Sequence, residues 1–240
     1  MECVPAVHET QHPTVLRRAG IMTDPMAKIF KYAIFDLDGV LVDTAEFHYL
    51  AWKAIADEIG VPFERRKNER LRGVPRMKSL EIILEEMAVK PSNMDDLAQR
   101  KNDLYVEMIQ QVSPKDLLPG VKVLLEKLKQ HGVRTSLGSS SKNARTVIRL
   151  LGIESMLDAV VDGFGFENAK PAPDIFLNAA KKLNADPSEC VVVEDAQSGI
   201  EAAKSAGMFA VGISRDEPLH GADLVVQTPA EISFSLWGIQ

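Results

Sequence analysis

Residues 35–44, FDLDGVLVDT, follow directly on the apolar residues Tyr32, Ala33 and Ile34 and set three carboxylates, Asp36, Asp38 and Asp43, within eight positions. A short β-branched and aromatic run that ends on polar residues reads as a strand buried on both faces. Asp36 and Asp38 then stand at its carboxyl end, two positions apart. In a parallel sheet that end faces the ligand.

Outward from this stretch the same signal recurs. Runs at 31–36, 133–137, 158–162, 190–194 and 209–213 read as buried strands, and 224–226 as a short sixth. Helical spacing fills the gaps: 121–130 opens after Pro119-Gly120 and stops at Gly132, and 142–151 has Ser141 as its expected cap and stops at Gly152. Segment 175–183 follows Pro173-Asp174, and 198–206 ends at Gly207. Strands alternating with helices predict an α/β fold with a Rossmann-like parallel-sheet core.

The alternation fails from 44 to 116, where the helical patterns 46–59, 78–87 and 95–112 stand without a strand between them. This predicts an inserted α-helical cap domain over the carboxyl ends of the strands, with the core formed by 29–43 and 117–240. The connections at 43–46 and 113–117 would serve as hinges. In the first cap helix, Phe47, Leu50, Ala51, Ala54 and Ile55 are expected to pack along one side.

Of the 240 residues, 45% are hydrophobic and 26% charged, ordinary for a folded protein with a real core. A net charge of -6 argues against a nucleic-acid partner. No apolar stretch approaches the roughly 18 residues that span a bilayer. Arg17-Arg18 is followed by Asp24, Pro25 and Lys28, so no export signal is expected and the reading is cytoplasmic. Residues 1–28 read as an extension, with Met22 and Met26 as alternative starts. Cys3 and Cys190 make no disulfide framework, and Cys190 reads as a small core residue.

Each polar cluster falls after a strand. Asp36 and Asp38 follow the first, Ser139-Ser140-Ser141 the second, Lys170 the third and Glu194-Asp195 the fourth. At about 4 Å and an effective dielectric of roughly 20, each like-charge pair of carboxylates costs about 4 kcal/mol. A divalent cation offsets that cost, and an all-oxygen donor set suits Mg²⁺ rather than zinc. Carboxylate, cation, lysine and hydroxyls together point to phosphoryl transfer. Alone, a DxD pair is more often a solvated loop; four clusters at successive strand ends are not.

These motifs resemble the haloacid dehalogenase superfamily from about residue 31 onward. The resemblance implies that Asp36 is the nucleophile that becomes an aspartyl-phosphate and Asp38 the general acid/base. It further implies that Ser139 and Lys170 hold the phosphoryl group. Mg²⁺ would be ligated by Asp36, the Asp38 backbone carbonyl and Asp195, with Glu194 beside them. Asp38 marks the phosphotransfer members rather than the dehalogenases.

The cap chooses the substrate. DTAEFHYLAWKAIADEIG (43–60), LRGVPRMKSL (71–80), RKNDLY (100–105) and the core loop GSSSKN (138–143) are similar to the β-phosphoglucomutase family. That implies a sugar-phosphate substrate, interconversion of β-glucose 1-phosphate and glucose 6-phosphate, and glucose 1,6-bisphosphate as phosphoryl donor. His48 is expected to reach Asp38 when the cap closes, and Trp52 to offer an apolar face to the sugar. Arg76 offers a bidentate fork for a second phosphate. Leu71, Gly73 and Val74 would border the sugar, and Ser79, Lys101, Ser141 and Asn143 add polar contacts. Arg72, Lys101 and Lys142 make the mouth basic. A monomer is the expectation. The alternatives are a sugar-phosphate phosphatase with the same core residues and a non-catalytic sugar-phosphate sensor. The aromatics of GFGFENAKPAPD (163–174) leave the approach to Lys170 open.

Overall fold

The computed structural model describes residues 28–214 and 219–240, so the expected extension lies outside it except for Lys28. Six parallel strands form one sheet: β1 (Tyr32–Phe35), β2 (Arg134–Gly138), β3 (Ala159–Val161), β4 (Cys190–Glu194), β5 (Phe209–Ile213) and β6 (Leu224–Val226). Their order is β3-β2-β1-β4-β5-β6. β1 is therefore flanked by β2 and β4, with Phe35 opposite Leu137 on one side and Val193 on the other. The chain reverses its direction of travel across the sheet between β1 and β4, which is the place where such sheets open a crevice.

The pleat sorts the strand residues onto two faces. Ala33, Phe35, Val191 and Val193 pack with Val121, Leu124, Leu125 and Leu128 of α5 (Val121–Gln130) and with Val147 and Ile148 of α6 (Ala144–Leu150). Ile34, Cys190 and Val192 pack on the other face with Ile175, Phe176 and Leu183 of α7 (Asp174–Leu183) and Ile200 of α8 (Gln197–Ser205). Burial on both faces explains why these strands read as unbroken apolar runs. Cys190 is a buried free thiol, as expected.

Between β1 and β2 the described residues hold no strand. Ahead of α5 they form α1 (Ala45–Glu58), α2 (Arg65–Glu69), α3 (Arg76–Ile83) and α4 (Met94–Met108). These helices have their own core, built from Trp52, Ile55, Phe63, Leu71, Leu80, Ile83 and Leu97. Ala51 of α1 and Tyr105 of α4 pack instead with the sheet-side core. The two connections lie side by side: Val42 bridges Leu117, and the Leu118 N–H donates to the Leu41 carbonyl at 3.0 Å.

Four details differ from the sequence reading. α2 was not expected: its five residues, RRKNE, carry no apolar period. α3 starts at Arg76 after Pro75 and ends at Ile83, short of residue 87. α4 ends at Met108, where the chain tightens into a single 3₁₀ turn over Ile109–Gln111. In α1 the buried stripe is Ala51, Trp52, Ile55 and Ala56, while Leu50 and Ala54 face solvent. The stripe follows i, i+1, i+4, i+5 because α1 packs against α4 on one side and the sheet-side core beneath.

Candidate active site

The site is built from the carboxyl ends of the three central strands. The Asp36 N–H continues the ladder past β1 by donating to the Val193 carbonyl at 3.0 Å, which fixes the backbone of Asp36 beside the end of β4. Lys170 Nζ, buried, donates to Asp36 Oδ1 at 2.6 Å and lies 3.4 Å from both Glu194 oxygens. Asp36, Glu194 and Asp195 each offer an oxygen within 4.8 Å of the others. Burial opposes the Lys170 ammonium, but Asp36 and Glu194 outweigh it and raise its pKa above the ordinary value. Burial, and then the charge of Asp36, push the Glu194 carboxyl well above the usual range.

Space for this cluster is reserved by glycine. Gly39 has φ +76, and a Cβ there would collide with the Asp195 carboxylate. The backbone turns away from β1 at the one residue that leaves Asp195 room.

Asp38 has a different setting. Its carboxylate accepts from the Thr44 hydroxyl, which the Tyr105 hydroxyl contacts at 3.3 Å. The described acidic cluster leaves the Asp38 carboxylate out. Burial, with the neighbouring charges of Asp36 and Asp195, raises its pKa to about 7, close to the working pH of a general acid/base. Two adjacent carboxylates thus receive opposite environments: Asp36 faces a lysine, and Asp38 faces a hydroxyl.

After β2 the chain turns on hydroxyls. Ser139 Oγ accepts the Ser141 N–H at 3.1 Å, and Ser141 Oγ accepts the Asn143 N–H at 3.2 Å. The helix behind begins at Ala144, so Ser141 shapes the loop rather than capping α6. The Ser140 hydroxyl is buried without a protein partner among the described residues.

The cap brings its polar side chains over this floor. His48 Nδ1 lies 2.8 Å from Lys101 Nζ, and the His48 ring stacks on Tyr105 with centroids 4.2 Å apart. Burial holds His48 well below its ordinary pKa and lowers Lys101 to about 7, with Arg76 adding repulsion to both. In this arrangement His48 pairs with Lys101 and the Thr44 hydroxyl is the group bonded to Asp38. Trp52 is only 2% exposed, with Lys101 Nζ 5.0 Å from its ring centroid. It packs in the cap core and also borders the cavity beside Lys101.

One cavity of ≈ 360 Å³ joins the two halves. Asp36, Asp38, His48, Trp52, Leu71, Gly73, Val74, Arg76, Ser79, Lys101, Ser139, Ser141, Asn143 and Asp195 all border it. Lys170 and Glu194 do not border it; Lys170 bonds Asp36 and pairs with Glu194 away from the open space. Phe166 also borders the cavity, whereas Phe164 projects into solvent over Lys142. Asn102 escaped the sequence reading. Its Oδ1 accepts from Arg76 at 2.7 Å and from Asn143 Nδ2 at 2.9 Å, tying the cap to the core loop.

Comparison with known proteins agrees with this geometry. A haloacid dehalogenase-like hydrolase family model matches residues 30–207. A Bacillus subtilis β-phosphoglucomutase is 47% identical over 210 residues, covering 86% of this chain and 93% of that protein. A Thermotoga maritima phosphorylated carbohydrates phosphatase is 34% identical, over 73% of this chain and 81% of its own. The crystal structure of a Clostridium difficile β-phosphoglucomutase matches with TM-score 0.82 and 40% identity, covering 86% of this chain and 95% of that one. The chain belongs to the haloacid dehalogenase-like hydrolase family, with β-phosphoglucomutases among its similar members.

Proposed function

We propose that this enzyme is a β-phosphoglucomutase, an isomerase that interconverts β-glucose 1-phosphate and glucose 6-phosphate through glucose 1,6-bisphosphate. The observation that carries the reading is one cavity with Asp36, paired to Lys170, at its core end and cationic groups at its cap end. Lys170 stands beneath Asp36 in the core, and Arg76 and Lys101 descend from the cap. A sugar carrying two phosphates fits that charge pattern in either orientation.

Phospho-Asp36 gives its phosphoryl group to the C6 hydroxyl of β-glucose 1-phosphate, and Asp38 takes the hydroxyl proton. The bisphosphate reorients, its C1 phosphate passes to the Asp36 carboxylate, and Asp38 returns the proton to the C1 oxygen. Ser139 and Lys170 hold the transferring group while Arg76 and Lys101 hold the other phosphate. Proton transfer of this kind is worth roughly 10² to 10⁴ in rate. The cap excludes water from phospho-Asp36, which separates transfer to sugar from hydrolysis.

Two buried carboxylates, the partly buried Asp195 and a buried lysine beside them form a hard, anionic oxygen set, which fits Mg²⁺. Asp36, Asp195 and the Asp38 backbone carbonyl, with Glu194 beside them, would hold it, and when bound it neutralises charge on the phosphoryl oxygens.

With β-glucose 1-phosphate, Mg²⁺ and a trace of glucose 1,6-bisphosphate, a coupled assay should detect glucose 6-phosphate, and Asp36→Asn should abolish it. Rapid release of inorganic phosphate without glucose 6-phosphate would replace the mutase by a sugar-phosphate phosphatase, as in the Thermotoga relative.

A further inference from the structure

Among the described residues, one member of the carboxylate cluster is held by the cap. Arg72 Nη1, from the segment between α2 and α3, donates to Asp195 Oδ2 at 2.9 Å. The same guanidinium donates through Nε to Glu69, beside it in the cap, at 2.7 Å. Its side chain is 41% exposed, whereas that of Asp195 is only 10% exposed. Two basic side chains thus share the neutralisation of the cluster. Lys170 is a buried, permanent member of the core; Arg72 is a half-exposed visitor from the cap.

Arg72 and Asp195 also form a partition. Both border the substrate cavity, and both border a second groove of ≈ 710 Å³ behind it, lined also by Asp43, Glu69 and Arg70.

Resting on the reading of Asp36, Glu194 and Asp195 as the cation site, we propose that Arg72 is a displaceable counterion that occupies Asp195 until a divalent cation takes its place. A dication among the three carboxylates removes the charge that attracts the guanidinium and repels it directly. Glu69 is already bonded to Arg72 and receives it as it leaves Asp195. Because this ion pair spans cap and core, its rupture loosens the cap. Cation loading then removes one of the ties between cap and core, while the Asn102–Asn143 bond remains.

The test measures Mn²⁺ binding to the full chain by electron paramagnetic resonance or calorimetry. Arg72→Gln should bind Mn²⁺ roughly ten-fold tighter than the wild type, because no charged hydrogen bond has to be broken first. Arg72→Lys should fall between them. With one nitroxide label on α3 and one on α8, Mg²⁺ should lengthen the cap-to-core distance in the wild type. In Arg72→Gln the longer distance should exist before Mg²⁺ and not respond to it. Unchanged or weaker Mn²⁺ binding by Arg72→Gln, or an undiminished distance response, overturns the proposal. Asp195→Asn separates the two levels: if it binds Mn²⁺ as well as the wild type, the cation-site reading itself falls.

Discussion

Arg76 and Asn102 show how much at the residue scale depends on partners distant in sequence. Arg76 sits at the first turn of α3, its guanidinium on Asn102, facing a cavity whose other end holds Asp36. A guanidinium stays charged despite the burial that lowers its pKa. Arg76→Ala should therefore lower kcat/KM for phosphorylated sugars by about 10² while changing turnover of an aryl phosphate by less than about three-fold. Equal losses on both substrates would remove Arg76 from the second phosphate site. Arg76 was legible because an arginine after Pro75 in a polar stretch offers a fork and little else. Asn102 was not, although an asparagine inside a helix is a poor helix former and so carries a weak signal. Its value lies in accepting from Arg76 and Asn143 at once, and Asn143 is 41 positions away. Thr44 was likewise read only as a hinge, since its bond to Asp38 exists only once the chain has turned at Gly39.

Among the elements, the strand ends were the clearest. Apolar runs that stop at Asp36, Ser139 and Glu194 announce both the strand and the polar group it presents. The 3₁₀ turn after α4 and the short α2 were hidden, because neither has a period that distinguishes it from its neighbours. α8 carries a constraint that propensity alone inverts. Gly199 lies inside that helix, where alanine is normally better by about 1 kcal/mol. A Cβ at Gly199, however, would collide with the Glu194 carboxylate. Gly199→Ala should therefore destabilise the fold by about 2 kcal/mol in denaturant unfolding and lower mutase activity at least about ten-fold. A variant as stable and as active as the wild type would show that Glu194 has freedom its burial denies. The expected capping of α6 by Ser141 failed for a related reason: its hydroxyl is already used to turn the loop.

For the whole molecule, burying cations in the cap has a measurable thermodynamic sign. Lys101 falls from an ordinary 10.5 to about 7 in the folded protein, chiefly through burial and then through Arg76. Between those values the unfolded chain binds a proton that the folded one releases, so this group makes stability rise with pH across that window. The penalty is full below about 7 and gone above about 10.5. Lys101→Met, studied with a chelator present, should be more stable than the wild type near pH 7 and converge with it towards pH 10 in unfolding titrations; parallel curves would mean that Lys101 stays protonated throughout. The α/β alternation and the helical insertion were visible in the sequence because each burial mode has its own period. Which cap residues would cross to the core was not, since contacts such as Arg72 with Asp195 depend on how two separately packed cores meet.

The adjoining connections at Val42 and Leu117 have a wider consequence. The excursion from β1 leaves and returns at neighbouring points, so the sheet is closed before the insert is considered. Evolution can lengthen, shorten or exchange the insert without disturbing one ladder bond around Asp36. The joint that must be respected includes the seats of Ala51 and Tyr105 on the core and the polar ties of Arg72 and Asn102. Inherited chemistry and acquired taste can thus drift at different rates within a single gene.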